Sequence, residues 1–392
     1  MKFAARIENL SPAIFAELDQ VKTEVKKQGK KVYDLGIGSP DLTPAPHIRR
    51  AIQEALQEPG IFSYPSSRGA AELREAIAEW YRTRFGVELD PEKEVLVLMG
   101  SQDGLTHLAW AVIDPGDMAL VPDPCYPIYR TGVTLAGGQV WPLPLKAENE
   151  FLPRLEDVPP EVLQQAKLMI LNYPNNPVAA VASEEFFARV VEVASRYDIL
   201  VVHDFAYSEL VFDGYRPPSF LSLPGAKEVG VEIHSLSKTF NMAGCRVGFM
   251  VGRADVVEAL TKLKTNIDYG VFLAIQKGAV AALRGPRTAV EENVRTYQRR
   301  RDLFLSVLKK YSWEIKPPRA TMFIWAPLPV KARDSTRFAL ELLTETGVVV
   351  VPGVAFGQEG EGYVRIALVQ EEKELEEAAE LLGAFYRRWG DV

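Results

Sequence analysis

The sequence has few of the features that are typical of secreted and membrane proteins. Its 392 residues include only two cysteines, Cys125 and Cys245, so a disulfide framework is excluded as the source of stability. The N-terminal segment MKFAARIENLSPAIFAELDQ carries charges and a proline where a secretory signal needs an unbroken apolar run. No stretch reaches the ~18 apolar residues of a membrane-spanning helix. We therefore expect a cytoplasmic protein with no membrane partner.

An excess of basic residues and several common motifs are also absent. The formal net charge is −7, and binding to nucleic acid relies on basic surface, so we expect no nucleic-acid partner. The four histidines, His47, His107, His203 and His234, form no HExxH or other ligand spacing, so we expect no metal site. The sequence contains neither a GxSxG elbow nor a GxxxxGK[ST] loop.

Between residues 94 and 252 the chain repeats an order of apolar run, turn and helical segment. Strands are predicted at EVLVLM (94–99), MALVP (118–122), KLMILN (167–172), ILVVHD (199–204), VEIHSL (231–236) and VGFMVG (247–252). Most are apolar at consecutive positions, which is typical of strands buried on both faces of a parallel sheet. Helical segments such as 183–197, with Ser183 as a cap, lie between them. The pattern predicts an α/β domain with helices on both faces.

The character of the sequence changes after residue 253. Helices are predicted at 253–263, 271–284 and 288–310, then strands at 322–328, 348–353 and 363–369 alternate with helices near 335–344 and 371–389. This order predicts a second, smaller α+β domain, which the N-terminal segment joins. The length of the chain suits two cores.

Polar residues are concentrated at the ends of the predicted strands, where open α/β sheets bind their ligands. After the first strand, Ser101 and Gln102 open a predicted helix, which would offer backbone N–H groups and a hydroxyl to a phosphate. Ser235, Ser237 and Arg246, near the end of another strand, would add further donors. Together these residues predict a phosphate site without a Walker motif.

Lys238 lies beside the predicted phosphate site, in the segment HSLSKTFNMAGCR (234–246). Its amine can form a Schiff base with an aldehyde, and neighbouring cations would lower its pKa. A phosphate and an aldehyde on one molecule indicate pyridoxal phosphate as the cofactor. Asp204 would pair with the pyridinium nitrogen of that cofactor. Tyr207 and Asn176 would bond the ring oxygen, and Tyr126 would cover the ring face.

Several stretches, in order along the chain, resemble one family. They are LGIGSPD (35–41), SYPSSRG (63–69), GSQDG (100–104), DPCYPIY (123–129), NYPNNP (172–177), DFAYSELVFDG (204–214), SLSKTFNMAGCRVGF (235–249) and VRIAL (364–368). On these motifs the chain resembles the class I aminotransferases of the pyridoxal-phosphate fold-type I superfamily, and most closely their LL-diaminopimelate and alanine aminotransferase branch.

The resemblance implies a fold, a division into domains and an assembly. The fold would be α/β, with a mostly parallel seven-stranded sheet between helices and a smaller α+β domain. The large cofactor-binding domain would span 44–290, and the small domain would consist of 1–43 and 291–392. The protein would be a homodimer with its active sites at the subunit interface.

The resemblance also implies a role for each matched residue. Lys238 would be the Schiff-base lysine and the proton shuttle, with Asp204 and Tyr207 as the other catalytic residues. Arg365 would grip the substrate α-carboxylate as a bidentate fork, and the Asn176–Pro177 bond would be cis. The remaining substrate contacts would come from Gly38, Tyr126 and Asn176. The cofactor would be held by Ser101, Gln102, Tyr126, Asn176, Asp204, Tyr207, Ser235, Ser237, Lys238, Arg246 and, from the partner subunit, Tyr64.

The implied reaction moves an amino group between an amino acid and a 2-oxo acid, with 2-oxoglutarate and glutamate as one couple. The family's NNPTG motif reads NNPVAA here (175–180). Ala13 and Gln102 occupy positions where diaminopimelate enzymes have a tyrosine and often a lysine, which weakens the case for LL-diaminopimelate as substrate. Alanine, aspartate or another amino acid stays open as the donor, as does carbon–sulfur β-elimination at the same site.

Overall fold

The computed structural model describes residues 3–8, 10, 13–329 and 334–390. The helices are α1 (Ala5–Glu8), α2 (Ala13–Lys27), α3 (Pro46–Ala55), α4 (Ala71–Phe85), α5 (Ser101–Val112), α6 (Ile128–Ala136), α7 (Pro160–Gln165), α8 (Glu184–Tyr197), α9 (Ala226–Val229), α10 (Leu236–Thr239), α11 (Ala254–Lys264), α12 (Leu273–Arg284), α13 (Thr288–Lys310), α14 (Ser335–Thr346) and α15 (Glu372–Gly390). The strands are β1 (Tyr33–Asp34), β2 (Val95–Leu98), β3 (Met118–Asp123), β4 (Gln139–Pro144), β5 (Ala166–Asn172), β6 (Leu200–Asp204), β7 (Gly230–Ser235), β8 (Gly248–Gly252), β9 (Phe323–Pro327), β10 (Val348–Val349), β11 (Val351–Pro352) and β12 (Tyr363–Ala367).

A seven-stranded sheet forms the larger part of the molecule, in the order β2-β8-β7-β6-β5-β3-β4. Only β8 runs antiparallel to its neighbours, and every other pairing is parallel. Each apolar run predicted as a strand between residues 94 and 252 lies in this sheet. The predicted α/β fold with a mostly parallel seven-stranded sheet is confirmed.

The strands are apolar at consecutive positions because both faces of the sheet are covered. Val97 and Val201 pack into the hydrophobic cluster on one face, which includes side chains of α4 and α8. Leu98 and Val202, the next residues of the same strands, pack into the cluster on the other face, with side chains of α5 and α11. Side chains alternate between faces along a strand, so both positions have to be apolar. Ser183 caps α8 as predicted, accepting from the backbone N–H of Phe186 at 3.3 Å.

The apolar runs do not predict β4, the seventh strand. It lies at the edge of the sheet, where β3 is its one partner strand among the described residues. Pro142 and Pro144 interrupt its apolar pattern. An edge strand tolerates prolines because it does not need a second row of hydrogen bonds, so the same residues that hide the strand in the sequence suit its position.

A smaller α+β unit is built on the antiparallel sheet β11-β12-β9, with α13, α14 and α15 around one further core. β1 pairs with β10, so the N-terminal segment joins this unit. The run VVVVPG (348–353) is divided at Val350 into β10 and β11, because its two halves pair with different strands. Among the described residues, no helix combines the length and apolar composition needed to cross a bilayer.

Candidate active site

The site begins where three neighbouring strands of the large sheet end. β5 ends at Asn172, β6 at Asp204 and β7 at Ser235, and all three residues are buried. Asn172 ties two of these ends together, because its Nδ2 donates to the backbone oxygen of Asp204 at 2.7 Å. Its Oδ1 accepts from the backbone N–H of Asn176 at 2.7 Å, which shapes the turn after β5. The Asn176–Pro177 bond in that turn is cis, as the resemblance implies.

Asp204 presents a buried carboxylate at the end of β6. Its Oδ2 accepts a hydrogen bond from the hydroxyl of Tyr129 at 2.7 Å, and its Oδ1 accepts from the backbone N–H of Ala206 at 3.2 Å. Burial raises the pKa of the Asp204 carboxyl, whereas these two hydrogen bonds oppose the rise. The sequence prediction places Asp204 in the site but assigns no role to Tyr129.

Lys238 lies in the short helix α10, directly after β7. Its Nζ donates to the backbone oxygen of Gly38 at 2.5 Å. Burial lowers the pKa of Lys238 from 10.5 to about 8, and the guanidinium groups of Arg365 and Arg246 act in the same direction. The effect of neighbouring cations follows the prediction, but burial is the larger cause. The pKa of Lys238 therefore lies well below that of an exposed lysine.

Two glycines bring the residues of the predicted phosphate site together. Ser101 begins α5 directly after Gly100, whose φ is +85°. A Cβ on Gly100 would collide with the guanidinium of Arg246, so this guanidinium lies against the turn. Gly248 pairs with Ser235 across β7 and β8, and a Cβ on Gly248 would lie 2.9 Å from the backbone nitrogen of Ser101. The start of α5, Arg246 and the end of β7 are thus adjacent.

Further site residues flank this arrangement. The Oγ of Ser235 accepts from the backbone N–H of Ser237 at 3.2 Å and caps α10. The hydroxyl of Tyr126 donates to Oε1 of Gln102 at 3.0 Å. The ring of Tyr126 lies edge-on to that of Tyr129, with centroids 5.8 Å apart. The structure therefore connects the tyrosine predicted to cover the cofactor ring with the first turn of α5.

Arg365 reaches this site from β12. Its Nη1 donates to Oδ1 of Asn176 at 2.9 Å and its Nη2 to the backbone oxygen of Gly36 at 2.6 Å. The guanidinium lies over the rings of Phe323 and Phe356, 4.4 and 4.7 Å from their centroids. Burial lowers the pKa of Arg365 to about 10. Within the described part of the chain, its buried Nε has no hydrogen-bond partner, so a donor is left for an anion.

Tyr207 and Gly38 lie next to Arg365 through their contact with Phe323. The ring of Tyr207 is buried with its centroid 5.7 Å from that of Phe323, and burial raises the pKa of the Tyr207 hydroxyl. A Cβ on Gly38 would lie 2.7 Å from the Phe323 ring, so the backbone could not approach as closely with any other residue. Both predicted residues are therefore in the site.

Tyr64 differs from the other predicted residues. It is 84% exposed, and its ring lies on that of Tyr269, with centroids 4.8 Å apart. No hydrogen bond joins it to the site residues within the described part of this chain. The side chain of Ala13, predicted to affect substrate choice, lies outside the described residues, although α2 begins at this position.

Residues 30–382 match the family model described as aminotransferase class I and II. The chain belongs to this family. It is a transaminase with the fold-type I architecture, and family members use pyridoxal phosphate.

The aminotransferase has relatives that match over nearly its whole length. It is 52% identical to LL-diaminopimelate aminotransferase of Desulforudis audaxviator, over 97% of this chain and 96% of that protein. It is 47% identical to the enzyme of the same name from Halothermothrix orenii, over 97% and 98%. Among solved structures, substrate-bound BacF from Bacillus subtilis matches with a TM-score of 0.94 and 38% identity, covering 98% of both chains.

The residues of this aminotransferase fit pyridoxal phosphate. Lys238 supplies an amine whose lowered pKa leaves it available to an aldehyde. Asp204 supplies a buried carboxylate for the ring nitrogen. Because Gly100 and Gly248 have no Cβ, the guanidinium of Arg246 and the end of β7 lie against the start of α5, and this combination of a cation with a helix N-terminus suits a phosphate.

Proposed function

We propose that this aminotransferase transfers the amino group of LL-diaminopimelate to 2-oxoglutarate, giving glutamate. The observation that carries the proposal is the identity of 52% over nearly the full length of a protein with the LL-diaminopimelate name. Gln102 and Ala13 differ from the residues expected in such enzymes. Gln102 nevertheless lies in the site, where its side-chain amide can donate to a distal polar group of the substrate.

Lys238 is proposed to carry the proton in this reaction. When bound, pyridoxal phosphate supplies an aldehyde that takes up the amino group and a ring that stores the electron pair of the substrate Cα. Lys238 Nζ removes the proton from Cα and afterwards returns one, which needs an amine that is neutral for part of the time near pH 7. The pKa of about 8 meets that need. Asp204 holds the proton on the ring nitrogen.

The other predicted residues are proposed to bind and orient. Ser101, Ser235, Ser237 and Arg246 hold the phosphate, with Gln102 at the same helix start. Tyr126 covers the ring, and Asn176 and Tyr207 bond its oxygen. Arg365 binds the substrate α-carboxylate beside Gly38 and Asn176. In support, a planar guanidinium already fixed on two acceptors offers its remaining N–H groups in a constant geometry.

A homodimer is proposed on the basis of an exposed aromatic face. Phe62 stacks on Phe272, the ring of Tyr64 contacts that of Tyr269 at an interplanar angle of 38°, and each of these rings is more than a third exposed. A cluster of this kind is typical of a contact surface, and Tyr64 would extend from it into the partner's site. Phe62→Glu should produce a monomer in sedimentation equilibrium, whereas Leu381→Glu, a similar change in α15, should not.

We further propose a large domain at 44–290, a small domain made of 1–43 and 291–392, and a cytoplasmic location.

A panel of amino donors with 2-oxoglutarate tests the substrate assignment. LL-diaminopimelate, alanine and aspartate are compared by kcat/KM for glutamate formation, with Lys238→Ala as the inactive control. We expect LL-diaminopimelate to exceed the other donors by at least about tenfold, since one additional bound polar group contributes about 1.5 kcal/mol. A higher value for alanine or aspartate would overturn the assignment. Cysteine is added to test the alternative reaction, and release of sulfide, ammonia and pyruvate from it without an oxo acid acceptor would indicate carbon–sulfur β-elimination.

A further inference from the structure

Tyr129 makes a contact for which the reaction assigned above gives no reason. Its hydroxyl donates to Oδ2 of Asp204 at 2.7 Å, and the residue is 1% exposed. We propose that Tyr129 is a positioning residue, which keeps the Asp204 carboxylate ionised and oriented and thereby sets how tightly the enzyme holds pyridoxal phosphate. The inference rests on the role of Asp204 in the proposed function.

The position of the Tyr129 hydroxyl is fixed by its surroundings. The backbone N–H of Tyr129 donates to the oxygen of Tyr126 at 3.1 Å in the first turn of α6. One turn later, Gly132 brings α6 close to α5, because a Cβ there would lie 3.2 Å from the backbone oxygen of Leu105. The Tyr129 ring belongs to the cluster that fills this face of the sheet. The hydroxyl therefore has little freedom to leave Asp204.

The hydrogen bond from Tyr129 fills one of the acceptor positions of the Asp204 carboxylate. Tyr129 occupies one position on Oδ2, and the backbone N–H of Ala206 occupies one on Oδ1. A carboxylate has about four acceptor positions, so positions are left for the N–H of a pyridine ring. Without Tyr129, Oδ2 would be buried with one donor fewer, and a buried carboxylate that lacks donors is protonated more easily. A protonated Asp204 could no longer hold a ring-nitrogen proton by charge.

Few other groups near Asp204 can take over this task. Among the described residues, Lys238 is the lysine whose charge acts on Asp204, and the proposed reaction uses its amine for the aldehyde. The remaining titratable groups that act on Asp204 or sense its charge are His203, which precedes it in β6, and the phenols Tyr126, Tyr129 and Tyr207. Of these phenols, only Tyr129 donates a hydrogen bond to Asp204 within the described residues. It is therefore the side chain on which the ionised state depends most.

The test replaces Tyr129 with phenylalanine, which removes the hydroxyl and keeps the ring. Cofactor dissociation constants are measured for the holoenzyme without substrate, by release of pyridoxal phosphate. Loss of a hydrogen bond to a charged group should raise this constant about ten- to hundredfold. The pKa of Asp204 should rise in the variant, so the pH at which cofactor is lost on acidification should rise as well. The expected rise is about one pH unit for each tenfold increase in the proton affinity of Asp204.

Tyr81→Phe is the matched control. Tyr81 is also a fully buried tyrosine, and its hydroxyl donates to a buried carboxylate, Glu232, at 2.8 Å. Glu232 pairs with His203, so its side chain lies on the opposite face of the sheet from Asp204. The control should lower the unfolding midpoint as Tyr129→Phe does, while its cofactor constant stays within about twofold of the unmodified enzyme.

Asp204→Asn distinguishes a failure of the proposed role of Asp204 from a failure of the inference about Tyr129. If this variant binds cofactor normally, the proposed role of Asp204 is wrong. If Asp204→Asn weakens binding but Tyr129→Phe does not, or if Tyr129→Phe and Tyr81→Phe weaken it equally, the inference about Tyr129 alone is overturned. In the Asp204→Asn background, Tyr129→Phe should have little further effect on the cofactor constant, because the two residues act through one contact. An undiminished effect in that background would also contradict the inference.

Discussion

Arg365 donates from Nη1 to Oδ1 of Asn176 at 2.9 Å, joining a strand of the three-stranded sheet to the turn after β5. Its Nη2 is held by the backbone oxygen of Gly36 at 2.6 Å, and two phenylalanine rings support the plane of the guanidinium. The small unit, the large sheet and the N-terminal segment thus fix one side chain together. The position of the proposed carboxylate site depends on all three segments.

Replacing Arg365 with lysine should therefore weaken substrate binding, although lysine keeps the positive charge. A lysine has no planar fork and cannot satisfy Asn176, Gly36 and a carboxylate with the same geometry. We expect kcat/KM to fall about ten- to hundredfold, chiefly through KM, for the loss of charge-assisted hydrogen bonds. Arg388→Lys, at an exposed pair with Glu345, should leave kcat/KM unchanged. Equal kinetics for Arg365→Lys and the unmodified enzyme would contradict the proposed role.

The lowered pKa of Lys238 predicts a pH dependence of cofactor capture. The neutral amine attacks an aldehyde, and below a pKa of about 8 the neutral fraction rises tenfold per pH unit. The rate at which cofactor-free enzyme captures pyridoxal phosphate should therefore rise with pH up to about 8 and then level off. Stopped-flow absorbance measures this rate. Nα-acetyl-lysine, whose side chain keeps a pKa of about 10.4, is the control, and its rate should continue to rise above pH 9. A continued rise in the enzyme would show that burial does not lower the pKa of Lys238.

Much of this fold and site could be predicted because its signals lie close together in the sequence. Runs such as KLMILN place a buried strand, and the polar residues directly after it, such as Asn176, lie where a parallel sheet binds ligands. Lys238 and Asp204 follow the same rule. Their contacts with Gly38 and Tyr129 could not be predicted, because these partners are distant in the sequence and only packing brings them together.

Tyr129 and Lys264 show why contacts of buried polar side chains are difficult to predict from the sequence. A tyrosine in an apolar helix has the same appearance in the sequence whether it fills a core or donates to a buried carboxylate. Tyr129 lies in the DPCYPIY stretch, three positions after Tyr126, and this proximity to a predicted site residue is the signal that could have found it. A lysine near the end of an amphipathic helix normally indicates solvent, and the sequence does not reveal that the side chain of Lys264 is fully buried.

Lys264 should contribute strongly to stability. Its ammonium contacts Asp103 at 2.8 Å and Asp268 at 2.6 Å, linking the first turn of α5 to the segment after α11. Lys264→Met would leave two largely buried carboxylates without their cation, and breaking a buried pair in this way costs about 3–5 kcal/mol. Urea unfolding of the cofactor-free protein measures the loss. Lys310→Met, which breaks an exposed pair with Glu380, should cost about 1 kcal/mol or less. Similar losses for both variants would show that burial adds nothing to the Lys264 contacts.

Gly100→Ala should weaken cofactor binding beyond its effect on stability. Gly100 has a φ of +85°, and a Cβ there would displace the guanidinium of Arg246 from the start of α5. Gly86 at the end of α4 also has a positive φ, +69°, but a Cβ there has no atom within 4 Å. Gly86→Ala should lose about 1 kcal/mol of folding free energy, because Gly86 has a left-handed helical conformation. Gly100→Ala should lose more, about 1–3 kcal/mol, because a φ of +85° with a ψ of 160° is open almost only to glycine. Only Gly100→Ala moves a residue proposed to bind the phosphate, so only it should raise the dissociation constant of pyridoxal phosphate, by about tenfold for one weakened charge-assisted hydrogen bond. Fluorescence titration of the cofactor-free variants distinguishes the two effects. Equal affinity in both variants would mean that Arg246 does not hold the phosphate from this position.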